Sequence, residues 1–107
     1  RISREVRDAN TINSVGSNKI IFKRADTGKA VKYIRNTSTN RLRRQSAADV
    51  ASLPGNSSSG NIVAENVSDF QSYSLAVGGP NPMVWVKLQF SDGSDWETKI
   101  YPRSFGL

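Results

Sequence analysis

The chain has 107 residues, 36% of them hydrophobic and 22% charged, with a formal net charge of +6 at pH 7. That length holds one domain with a single modest core, and that composition suits a folded chain. With neither Cys nor His, disulfides, thiolate chemistry, His-dependent catalysis and His/Cys zinc or haem sites are excluded, and no apolar run approaches the about 20 residues of a membrane-crossing helix.

The chain opens on RISREVRDAN (1–10). Ile2, Val6 and Ala9 recur at helical spacing, and Arg1–Glu5 and Arg4–Asp8 are i, i+4 pairs of opposite charge. No Ser, Thr, Asp or Asn precedes the stripe to cap it. The pattern predicts the closing turns of a longer helix over 1–14, its beginning missing, before NTINSVGSN (10–18) breaks the period with Asn, Ser and Gly. KIIFKR (19–24) and KAVKYIR (29–35), joined by an ADTG turn, predict a hairpin. In its second strand Val31 and Tyr33 share one face, Lys32 and Ile34 the other. NTSTN (36–40) is a turn and RLRRQ (41–45) a short strand.

SAADVASLPGNSSSG (46–60) is an internal loop. It begins with one or two helical turns, Ser46 as cap with Asp49 three residues on, and is stopped by Pro54-Gly55. NIVAENV (61–67) and FQSYSLAV (70–77) read as strands separated by Ser68-Asp69. After a GGPNP turn (78–82), MVWVKLQF (83–90) sets Val84, Val86, Leu88 and Phe90 on one face and Trp85, Lys87 and Gln89 on the other. SDGS (91–94) is a tight turn into DWETKIY (95–101). A helix followed by about six to seven short strands predicts an α+β domain with the helix packed on an antiparallel sheet. Core candidates are Ile2, Val6, Phe22, Val67, Phe70, Val84, Val86, Leu88 and Ile100.

Charge is unevenly spread. Residues 19–44 hold nine Lys or Arg against one acid, whereas 45–107 hold three basic and six acidic residues. Lys32, Arg35, Arg41, Arg43 and Arg44 are candidates for a basic sheet face that meets an acidic protein or DNA; a plain solvated strand face is the alternative. Stacking aromatics are sparse there, with only Tyr33 and Phe22. Asp92, Asp95 and Glu97 gather around a Gly turn, but their spacing fits no EF-hand loop, and hairpin geometry accounts for Asp92-Gly93. Glu65 and Asp69 are the conceivable acid–base pair, with Asx-turn chemistry explaining Asp69. Trp85 and Trp96 read as a packing pair on adjacent strands. With no phosphate-binding Gly motif either, no catalytic residue, metal or cofactor is expected.

Taken together, ISREVRDAN, KIIFKRADTGKAVKYIRN, RLRRQ, NIVAENVSDFQSYSL and MVWVKLQFSDGSDWETKIYPRSF resemble the pilin-like region that follows the membrane segment in minor pilins and pseudopilins. In that likeness Val67 and Phe70 point inward, and Ile100, Tyr101, Pro102 and Arg103 occupy the closing strand and its basic end. The family's Gly-Phe-Thr-Leu-x-x-Glu start and apolar helix are not in this sequence, nor is the cysteine pair common in type IV pilins. The lack of that cysteine pair favours a pseudopilin of a type II secretion system, or a pilin-like relative outside the disulfide-bonded class, over a type IV minor pilin, and among pseudopilins the chain most resembles the J-type minor component. The resemblance implies a non-enzymatic filament subunit, anchored in the inner membrane by a helix preceding Arg1, with its globular part in the periplasm or an extracellular filament. Other pilin or pseudopilin subunits would be its partners, and secreted cargo a further one. Arg1, Arg4, Glu5, Arg7 and Asp8 would lie at subunit boundaries. A DNA-binding pilin-like protein or basic β module is the alternative.

Overall fold

The computed structural model describes residues 1–76 and 82–102. A short helix, α1 (Ile2–Arg7), is followed by β1 (Ala9–Gly16), β2 (Lys19–Arg24), β3 (Ala30–Asn36) and β4 (Arg41–Ala47). A 3-10 turn (Val50–Ser52), β5 (Asn61–Ala64), β6 (Val67–Ala76), β7 (Pro82–Phe90) and β8 (Asp95–Ile100) complete the order. The strands form two antiparallel sheets, here sheet A (β1-β2-β3-β4-β5) and sheet B (β6-β7-β8).

This corrects the expected pilin-like α+β fold. The protein is mostly β, and its helix has six residues rather than the closing turns of a long one. Residues after Arg7 are poor helix formers: Asp8, Asn10 and Asn13 compete for the backbone, and Thr11, Ile12 and Val15 are β-branched. They pair with β2 instead, from Ala9↔Arg24 to Gly16↔Lys19. The expected hairpin of 19–24 with 29–35 is present in register, Phe22 opposite Val31.

The 61–77 segment also divides elsewhere than expected. The break falls at Glu65-Asn66, with Asn66 in the left-handed region at φ 57°, while Ser68 is a β-bulge inside β6. In the 46–60 loop the cap is Asp49, whose side chain accepts from Ser52 N, and Ser46 lies in β4. The 78–82 turn and Arg103 lie outside the described residues, apart from Pro82 at the start of β7.

The inner faces of the two sheets enclose one core, closed at one side by Ile2 and Val6 of α1. All nine core candidates are buried, Val6, Phe22, Val67, Phe70, Val84 and Val86 completely. Each such side chain contributes about 1.5–3 kcal/mol of burial. The sheets are also tied by polar bonds at their turns. Asn18 N donates to Phe70 O (2.7 Å) and Val67 N to Asn40 O (2.8 Å). Asn18 and Asn40 both have positive φ, 67° and 57°, a conformation Asn tolerates better than most residues. Ser72 Oγ donates to Lys19 O (2.9 Å) and accepts from Gly16 N (3.2 Å).

Candidate functional site

Strand alternation sorts the basic residues of sheet A between its two faces. Arg44 lies opposite Tyr33, and Tyr33 opposite Ile20, in a row that faces the core. Arg44 grips Glu5 of α1 with both carboxylate oxygens engaged, Nε to Oε1 at 2.7 Å and NH2 to Oε2 at 2.6 Å. Arg24 NH1 donates to the same Oε2 at 2.9 Å, and the Tyr33 hydroxyl donates to Oε1. Arg1 adds the expected i, i+4 pair at 3.7 Å. Burial alone would raise the Glu5 carboxyl; hydrogen bonds from Arg44 and Tyr33 and the charges of Arg44 and Arg24 outweigh it, and its pKa falls below the ordinary value. Burial, with Glu5 beside it, pushes the Tyr33 phenol well up. Glu5, expected at a subunit boundary, is therefore a buried anchor of the helix. Arg4 and Arg7 stay exposed and Asp8 half-buried.

Arg35 is likewise consumed inside. Its Nε donates to Val67 O (2.6 Å), NH1 to Asn18 Oδ1 (3.1 Å) and NH2 to Asn40 Oδ1 (2.6 Å), clamping both turns to sheet B. The five expected patch residues thus do not form one surface.

The outer face of sheet A carries a different set. One row runs Lys19–Ile34–Arg43–Ile62, the next Ile21–Lys32–Gln45, and the third Lys23–Ala30–Ala47. No acid occurs in these rows. Over β3 and β4 the 49–60 loop lies as a strap. Lys32 Nζ donates to Pro54 O (3.1 Å), Arg43 NH1 to Gly60 O (2.8 Å), and Gln45 Nε2 to Asn56 O (2.8 Å) and Ser59 O (3.1 Å). Lys32 is buried beneath it, and that burial, with Lys19 nearby, lowers its pKa. Arg41 pairs with Glu65 at 3.5 Å on the surface. Beside the strap runs a strip from β1–β2 to Ile62, with Lys19 and Ile62 exposed and Ile21, Lys23, Ile34 and Arg43 half-buried. Lys19, Lys23 and the isoleucines were not singled out from the sequence as surface candidates; their parity opposite the core residues Ile20, Phe22 and Tyr33 carries that signal.

The outer face of sheet B has three full rows: Asp69–Gln89–Asp95, Gln71–Lys87–Glu97 and Tyr73–Trp85–Lys99. Tyr73 and Trp85 pack with ring centroids 4.9 Å apart. Trp96 instead sits opposite Leu88 on the inner side, so the Trp85–Trp96 pair does not form across this face. At the 91–94 turn Asp92 Oδ1 accepts from Ser94 N (2.9 Å) and Ser94 Oγ (2.6 Å). These bonds hold the Asp92 carboxyl below its ordinary range. An open groove of about 590 Å³ beside it is lined by Glu65, Asn66, Phe90, Ser91, Asp92 and Ser94.

No protein-family model, curated protein or solved structure matches this chain. Among the described residues no three His, Cys, Asp or Glu side chains come together to hold a metal, and no helix is long and apolar enough to cross a membrane.

Proposed function

We propose that the chain is a non-catalytic assembly subunit that binds an acidic protein through the outer face of sheet A. The observation that carries this is the segregation of its cations. Arg24, Arg35 and Arg44 are committed to internal bonds, while Lys19, Lys23 and Arg43 sit among isoleucines on rows that hold no acid. Apolar contact with flanking charge is the composition of a protein-binding surface, and the charges set partner choice and encounter rate. The pseudopilin expectation drew partly on a helix laid on a sheet, which is not the fold found, so the proposal stands on this surface alone. The DNA alternative is weaker. The outer-face aromatic pair, exposed Tyr73 and half-buried Trp85, belongs to sheet B, whereas single-strand binding joins stacking rings and cations in one groove.

The test is binding to a short poly-L-glutamate chain at low salt, with duplex DNA as a parallel probe. Lys19→Glu/Lys23→Glu is expected to weaken glutamate binding by about tenfold or more and leave folding intact. Unchanged binding contradicts the proposal, as does DNA affinity well above that for glutamate.

A further inference from the structure

We infer that the acidic partner of the sheet A face is a second copy of this chain, docked through the outer face of its sheet B, so that copies stack head to tail. This rests on reading sheet A as the interaction surface and names what it meets. The two outer faces match in both chemistries. Sheet A offers Lys19, Lys23 and Arg43; sheet B offers Asp69, Asp95 and Glu97, with Asp92 at its end turn, against Lys87 and Lys99. Sheet A exposes Ile62 at 44%, and sheet B exposes Tyr73 at 40% and Leu75 at 48%. Both therefore present apolar side chains, and their net charges are opposite in sign, the carboxylates of sheet B lying toward the end of the face away from Tyr73 and Lys99.

Sheet A against sheet A sets cations against cations, whereas the rows of sheet B hold three carboxylates and two lysines, so its net acidic face is better matched by the cations of sheet A than by itself. Because the shared core lies between the sheets, the two outer faces point away from each other. Joining one to the other leaves a free face at each end, which is a heterologous contact that extends without closing. The molecule measures 37 × 29 × 19 Å, large enough for a broad face to supply the about 800 Å² per partner of an ordinary interface.

The experiment is sedimentation of the full chain over a concentration series, using Lys19→Glu/Lys23→Glu for one face and Tyr73→Ser/Leu75→Ser for the other. The wild type is expected to gain mass with concentration without a plateau, more so at low salt. Each variant alone is expected to stay monomeric, and their equimolar mixture to form a 1:1 pair that grows no further, because only one intact face of each kind remains. Should the serine variant fold poorly, Glu97→Lys replaces it, weakening association about fivefold or more. A wild type that stays monomeric, or a dimer plateau with no pairing in the mixture, overturns the inference. If poly-L-glutamate still binds through Lys19 and Lys23 in that case, the surface reading survives and only the second copy falls; if neither occurs, both fall.

Discussion

Arg43 and Arg44 are neighbours in the chain and opposites in the structure. Arg44 points into the sandwich and holds a buried carboxylate with two bonds; Arg43 points out and, among the described residues, reaches only a loop carbonyl. The same guanidinium is a structural clamp on one side of a strand and a surface charge on the other. Burial sets the difference: a desolvated ion pair is strongly destabilising to break, whereas an exposed one contributes little.

The largest expected effect is on the inner side. Glu5→Ala leaves Arg44 and Tyr33 facing no acceptor, and should cost about 3–5 kcal/mol in urea unfolding. The same contact fixes a pH dependence. The folded-state pKa of Glu5 lies below its ordinary 4.5, so its stabilisation is complete above that value and is lost as pH falls through the folded one. Acid unfolding followed by circular dichroism should therefore steepen below about pH 4.5 in the wild type and be shallower in Glu5→Ala. An identical acid limb in both would remove Glu5 from the account.

Gly60 lies between the two sides, where the strap meets β4. Its φ is +97°, and a Cβ there would stand 2.4 Å from Arg44 O and 2.9 Å from Gln45 Cγ. Gly60→Ala should lower stability by about 1–3 kcal/mol, read as a drop in the urea midpoint, and loosen the strap. Smaller still is Lys32→Met, which removes a partly desolvated charge bonded to Pro54 O and should change stability by under about 1 kcal/mol. Lys23→Gln, on the strip beside the strap, should fall within about 0.5 kcal/mol.

Much of the core was legible because strands alternate: Val84, Val86 and Leu88 are buried as their spacing implies. The fold was not, for two local reasons. A six-residue helix carries the same Ile2/Val6 spacing as the end of a long one, and Ala9 extends the stripe while standing in a strand. The division into two sheets depends on Asn66 taking positive φ, which an Asn permits but does not announce. The basic surface was half legible. Charge density along 19–44 was plain, but which cations face outward depends on register. Only pairing such as Ile34↔Arg43 and Tyr33↔Arg44 assigns them.

Arg43→Gln and Arg44→Gln, carried side by side through urea unfolding and poly-L-glutamate binding, test the division of labour most directly. Arg43→Gln is expected to leave the unfolding midpoint within about 0.5 kcal/mol of wild type and to weaken glutamate binding. Arg44→Gln is expected to lower stability by about 3 kcal/mol or more while its folded fraction binds as wild type does. The reverse assignment, with Arg43 governing stability and Arg44 governing binding, would contradict the account.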